Sequence, residues 1–446
     1  MPLRSTRHRR ERAPEGEQAP AGQFWAAGER IRPSLAARPE RFRAPRGRAP
    51  CAFSIHLSER PTQLTQDLAP IRVTAVDSDA ALDRFLSVPA ALYADDPAWI
   101  APLKLERRMH LSPKHNPYFQ HARWQVWIAW QGLKPVGRIT AQIDALHLER
   151  YADATGFFGM LEAEDREDTF AALFGTAERW LREQGIRRVR GPFGLSINEE
   201  TGLLIEGFDT PPVFMMGHAR PYYAARIEAQ GYRKAVDVLA YWIRADFKAS
   251  PVMAKLVAAA EKRVRVRPLD RSRFDAEIAL LRDIFNDAWE HNWGFIPFTE
   301  AEFRELGSNL RWLVDPGLIR IAEVDGEAAA FMVTMPNLNE AIRDLEGRLL
   351  PFGWAKLLWR IKVRHPSTVR VPLMGVRRKY QHTRLGPALA FMVIAGAQPR
   401  TLELGVKEAE LSWILEDNAG MRGIIESIGG HAYKRYRVYE RELDAA

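Results

Sequence analysis

Residues 375–389 read GVRRKYQHTRLGPAL, which sets Arg377, Arg378, Lys379 and Arg384 around Gly386. The pattern predicts a strand end, a basic turn and a helix start. Backbone N–H groups and the positive end of a helix dipole make such a junction a natural anion site. Four bases and no acid in the turn strengthen that reading. Val376, Arg377, Arg378, Lys379, Gln381, Arg384, Leu385 and Gly386 are therefore the candidate anion-binding set. The competing reading is a solvated basic turn.

Chemistry at such a site needs a group to accept a proton and a donor where negative charge develops. Four side chains are candidates. Glu199 sits with Asn198 and Glu200 in a polar loop after a strand end, and His291 precedes Asn292-Trp293-Gly294. Glu416 and Asn418 lie at a strand-to-helix turn in LSWILEDNAGMR. Each has a plainer reading: a polar loop, a structural histidine, or an N-cap with acids favouring a helix start.

The elements that would position these groups occur twice. RWQVWIAWQGLKPVGRITAQID (123–144) and LIRIAEVDGEAAAFMVTMPN (318–337) both read as hairpins, the second with Asp325-Gly326 for a tight primed turn. In the first copy Phe170, Leu173, Phe174, Ala177, Trp180 and Leu181 fall on one helical face. Closing strands are expected at 186–193 and 407–415. Each copy then ends in I-E-x-x-G, at 227–231 and 425–429, before a last strand. The same order of elements twice predicts an internal duplication. The first copy's equivalent turn holds Glu162, Glu164, Asp165, Glu167 and Asp168 against Arg166. Those acids would repel a phosphate, so the anion site belongs to the second copy.

This order resembles the GNAT acyltransferase superfamily, over most of 260–443 and in outline over 70–247. GVRRKYQHTRLGPALA stands where that superfamily has Q/R-x-x-G-x-G/A, and EDNAGMRGIIESIGG where it has N-x-x-A-x-x-L-Y-x-x-x-G-F. Arg384 replaces the first glycine, and Ile425 the tyrosine that often protonates the leaving thiolate. GPFGLSINEETGLLIEGFDTPPVFMMGHARPYY (191–223) and NWGFIPFTEAEF (292–303) resemble a bacterial double-GNAT family, to which bacterial ceramide synthases are similar. The resemblance implies an α/β fold with mixed sheets: a degenerate GNAT-like domain over 61–248 and a second over 249–446, behind a disordered basic extension over 1–60. It implies acyl-CoA or acetyl-CoA as cosubstrate, or an acyl carrier protein, a primary-amine acceptor such as a sphingoid base, and no metal. A Fem-type tRNA-dependent aminoacyltransferase and a non-catalytic binding module are the rival readings.

Charge supports that ordering. The 446-residue chain carries a net charge of +8, but residues 1–50 hold twelve Arg and five Glu. The body is thus nearly neutral, which argues against nucleic acid as partner. The single cysteine, Cys51, excludes disulfides within the chain and thiolate metal clusters. No apolar run approaches the ~20 residues that span a bilayer, so a cytoplasmic protein is expected. The second copy also carries an insert, 338–365. In it Leu350, Trp354, Leu357, Leu358 and Ile361 share one face, and Lys356, Arg360 and Arg364 another. That pattern suits either a helix packed on the body or an interfacial helix at the inner face of an anionic membrane.

Overall fold

The computed structural model describes residues 69–444; the extension expected over 1–60 lies outside the described residues. Alternating apolar residues in the two hairpins set the architecture, because successive side chains of a strand face opposite sides of a sheet. In the first hairpin Trp127 and Ala129 pack beneath helix Glu167–Glu183, whereas Val126 and Ile128 meet Phe85 and Val88 of helix Asp79–Leu92. In the second, Ala330 and Met332 lie under helix Leu385–Glu403, and Phe331 and Val333 face helix Phe274–Trp289. Both hairpins are thus covered on both faces, by equivalent helices.

The strands are β1 (Ile71–Ala75), β2 (Ala122–Gln131), β3 (Lys134–Asp144), β4 (Thr155–Ala163), β5 (Arg188–Gly191), β6 (Leu203–Glu206) and β7 (Arg233–Arg244) in the first copy. The second has β8 (Val264–Pro268), β9 (Ile319–Val324), β10 (Glu327–Pro336), β11 (Thr368–Val376), β12 (Glu408–Leu415) and β13 (His431–Glu442). They form one mixed sheet in the order β1-β2-β3-β4-β5-β13-β7-β12-β11-β10-β9-β8, with β6 added against β13. The last strand of each copy has changed places: β13 pairs β5 of the first copy, and β7 pairs β12 of the second. The turn at Asp325-Gly326 has φ of 52° and 87°, as the primed turn requires.

Each copy opens a notch in this sheet. Parallel pairing of β4 with β5 covers only Thr155–Phe157, and that of β11 with β12 only Thr368–Val371. Pro372 then removes the N–H that would continue the second ladder. Beyond these points the strands diverge, and the chain after β5 is free to form the loop that carries Glu199.

Candidate active site

Seven segments form most of the lining of a cavity of about 630 Å³. They are helix Lys104–His110, the end of β4, the loop 192–204, the loop 212–218, helix Glu300–Leu310, and the two ends of the insert around 338–342 and 349–361. Most of the lining is apolar, including Leu86, Trp99, Met160, Phe214, Met216 and Ile342. Helix Lys104–His110 and the loop after β5 together build one charged wall, while Arg138, Glu162, Glu302 and Glu305 bring further charge to the lining from other elements.

Arg107 and His110 stand three residues apart on that short helix and so share a face. The facing loop is held by its own backbone. Gly194 N–H donates to Glu200 O at 2.7 Å, and Glu199 N–H to Ser196 O at 3.2 Å. Asn198 Nδ2 anchors the loop to the second copy through Ile296 O at 3.1 Å. This geometry puts His110 Nε2 at 3.0 Å from Glu199 Oε2, and Arg107 Nη2 at 3.0 Å from Glu200 Oε1. His110 Nε2 and Glu199 Oε2 are both buried against each other, out of ideal hydrogen-bond alignment. Both residues line the cavity, with side chains 22% and 21% exposed. Burial alone would lower the imidazole's proton affinity, but the Glu199 carboxylate outweighs it and raises His110 above its usual value.

A second polar group lies on β4. Glu162 accepts from Tyr93 Oη at 2.6 Å and Tyr223 Oη at 3.0 Å, with Arg138 Nη2 3.7 Å away. Burial raises this carboxyl above the usual range despite the guanidinium and the two phenols.

Of the four side chains singled out for acid–base chemistry, Glu199 is the one that lines this cavity. His291 is exposed, 3.1 Å from Arg378 Nη1. Asn418 caps helix Ala419–Ser427, accepting from Met421 N–H at 3.0 Å. Glu416 accepts from Asp237 N–H at 3.1 Å and Lys234 Nζ at 2.7 Å, which ties β12 to β7.

The basic turn lies where the sequence puts it, after Val376 at the end of β11 and before helix Leu385–Glu403. Its charge is largely answered by the fold. Arg377 pairs with Asp283 at 2.6 Å, Arg378 with Glu290 at 2.5 Å and Asp287 at 3.2 Å, and Lys379 with Glu327 at 2.8 Å. Gln381 Nε2 fastens the turn to Ala288 O and Val376 O, both at 2.8 Å. A Cβ on Gly386 would lie 2.5 Å from Tyr380 O, so only glycine permits this close passage of turn over helix. Leu385 N–H is taken by Thr383 Oγ1 at 3.2 Å. Arg384 is exposed and has no ion pair among the described residues. A smaller space of about 50 Å³ fills the notch between β11 and β12, lined by Trp289, Pro372 and Trp413. Asn198 and Phe298 line both this space and the large cavity, so the two adjoin.

No protein-family model matches the chain. Protein YghO of Escherichia coli K12 is 53% identical over 363 residues, covering 81% of this chain and 93% of that protein. Bacterial ceramide synthase of Caulobacter vibrioides NA1000 / CB15N is 47% identical over 384 residues, 84% of this chain and 98% of that protein. Among solved structures, a tandem GNAT protein from the clavulanic acid biosynthesis pathway aligns over 84% of this chain and 99% of its own length, with a TM-score of 0.50 at 14% identity. That likeness is one of fold: two GNAT copies in one chain. The chain belongs to the family of bacterial ceramide synthase and protein YghO, and it has a tandem GNAT-type fold.

Proposed function

We propose that the protein transfers a long acyl group from acyl-CoA to the primary amine of a lipid, inside the large cavity. The observation that carries this reading is the cavity itself, about 630 Å³ and mostly apolar, with His110–Glu199 and Arg107–Glu200 on one wall. A soluble amine and an acetyl group need no such apolar volume, whereas each buried methylene of a long chain gains about 0.8 kcal/mol. One relative is named bacterial ceramide synthase, and ceramide is an amide of a long-chain amine.

In this reading the donor's phosphates lie at the basic turn, against Arg384 and the start of helix Leu385–Glu403. Val376, Gln381, Leu385 and Gly386 shape that junction. Arg377, Arg378 and Lys379, already paired, contribute through partial charge and by fixing the turn. The pantetheine arm follows the notch past Trp289 to Asn198, where the smaller space meets the cavity. The acceptor nitrogen attacks the thioester carbonyl, a C–N bond forms, and the C–S bond breaks to release the CoA thiolate. The proton lost by the nitrogen passes to Glu199, beside which His110 stands at 3.0 Å. That proton then neutralises the departing thiolate. His291, Glu416 and Asn418 serve the turn and the second copy's helix, at a distance from the transfer. An acyl carrier protein would present the same arm at the same junction.

The test is release of free CoA by the full chain with palmitoyl-CoA and a sphingoid amine, comparing wild type with Glu199→Gln and Arg384→Ala. Loss of a positioned base lowers kcat about 10² to 10⁴-fold, so Glu199→Gln is expected in that range. Arg384→Ala is expected to raise KM for the donor with kcat kept. An unchanged rate in Glu199→Gln would remove the cavity from the chemistry.

A further inference from the structure

Twelve large apolar side chains are exposed among the described residues, and nine of them belong to three segments at one place. The insert contributes most of them: Leu350 is 79% exposed, Phe352 78% and Val363 65%, with Leu358 and Trp359 about half exposed. Trp312, at 72%, sits beside the insert because Lys362 Nζ donates to its carbonyl. Leu105 and Met109 complete the patch from helix Lys104–His110, whose first residue donates from Lys104 N to Gly347 O at 3.1 Å. An exposed apolar area of this size marks a surface that meets something else.

Three further observations say what it meets. The patch is built around the cavity's opening. Leu105 and Met109 both line the cavity and reach the surface, while Leu349, Leu357 and Ile361 line it from the inner side of the insert. The face expected from the sequence is therefore divided. Leu357 and Ile361 turn inward, Leu357 packing near Ile100 and Leu345, and Leu350 and Leu358 turn outward. The surroundings are also basic: residues 343–364 hold six bases and two acids. Asp344 is taken by Lys356 and Arg360, and Arg348, Lys362 and Arg364 are exposed with no acidic partner among the described residues. Finally, no helix among the described residues is long and apolar enough to cross a membrane. Apolar side chains set among unpaired bases complement an anionic bilayer, apolar to the acyl region and bases to the headgroups.

We infer that this patch docks the protein on an anionic bilayer, with the cavity opening directly onto the lipid. The inference rests on the lipid-acyltransferase reading above and adds to it the route of entry. A lipid amine would slide from the leaflet between helix Lys104–His110 and the insert without crossing water. Helix Gly353–Trp359 and the wider turn Arg360–Arg364 then act as a shallow wedge rather than as an anchor.

The test uses the full chain with vesicles of phosphatidylcholine alone or with 30% phosphatidylglycerol. Wild type is expected to sediment with the anionic vesicles and to lose that binding as salt rises. Leu350→Ser/Phe352→Ser/Val363→Ser is expected to bind at least tenfold more weakly, with an unchanged unfolding temperature as the folding control. Lipids brominated on the acyl chain report insertion at this place. They should quench wild type, and the quenched component should shrink in Trp312→Phe/Trp359→Phe. Vesicle binding without that loss would assign the contact to another part of the chain and overturn the inference. So would a wild-type dimer that the serine variant abolishes without vesicle binding, since the patch would then belong to a second copy. Acylation of a lipid amine in detergent micelles, measured alongside, separates the two readings. Micellar turnover without vesicle docking overturns the docking alone, and docking without turnover on any amine overturns the acyltransferase assignment to the cavity while leaving the docking in place.

Discussion

Replacing Glu302 tests how the two copies are held together at the cavity wall. His121, in the first copy, has Nδ1 at 3.0 Å from Asp144 Oδ1 and Nε2 at 3.2 Å from Glu302 Oε1 in the second. Burial would lower this imidazole, but the two carboxylates prevail and push it up from its usual 6.5 to about 9. The same contact lowers Glu302, so the interaction is counted once, on the histidine. At about 1.4 kcal/mol for each tenfold change in proton affinity, the bridge stabilises the fold by about 3 kcal/mol. All three side chains are mostly buried, with 13%, 3% and 12% exposed, so solvent screening takes little from that figure. Because the folded protein holds the proton more tightly, the stabilisation is complete below pH 6.5 and disappears as pH rises through about 9. Glu302→Gln keeps the Thr299 cap but removes one carboxylate, and should forfeit about half of the 3 kcal/mol at pH 6.5 and almost none at pH 9.5. Urea unfolding followed by tryptophan fluorescence at both pH values measures this. Lys434, buried and drawn down to about 8, titrates over the same range with the opposite sign. The quantity to read is therefore wild type minus His121→Gln and wild type minus Glu302→Gln. A difference that stays constant between pH 6.5 and 9.5 would refute the charged bridge.

Two further outcomes are expected. Arg370 and Glu410 are 1% and 0% exposed and 3.6 Å apart, so Arg370→Met leaves a buried carboxylate with the Tyr433 hydroxyl but without its guanidinium and should cost about 3–5 kcal/mol, most of it recovered in Arg370→Met/Glu410→Leu, as a double-mutant cycle of urea midpoints will show. Along a series of acyl-CoA donors, kcat/KM should rise about fourfold per added methylene until the cavity is full, at about 0.8 kcal/mol each; a flat profile would mean that the chain stays outside.

What was legible in the sequence followed local physics. Alternation gave both hairpins, and the helix face Phe170, Leu173, Phe174, Ala177 and Leu181 is buried as its spacing requires. Gly231 and Gly429 close their helices at φ of 83° and 91°, as I-E-x-x-G suggested. The first closing strand is shorter than 186–193, because after Gly191 the chain leaves the sheet to make the loop of Glu199. The site was only partly readable, since its partners are distant in sequence. His110 meets Glu199 across 89 residues, and nothing in KLERRMH announces that pairing. Likewise the turn after Val376 reads as four bases with no acid, yet Asp283, Asp287 and Glu290 come to it from helix Phe274–Trp289 and the residue beyond. Counting charge along a segment cannot see acids that folding brings from elsewhere.

The exchanged last strands also set a timetable for synthesis. Gly191 in β5 pairs with Tyr439 in β13, 248 residues later in the chain. At about 5–20 residues per second, a ribosome needs about 12 to 50 s to supply that partner. Throughout that interval β5 has an unpaired edge and β6 and β7 wait for strands of the second copy, the kind of template on which nascent chains mispair. Production of this protein therefore depends on how well the cell shields the edges of β5, β6 and β7 until the final dozen residues of the sheet arrive.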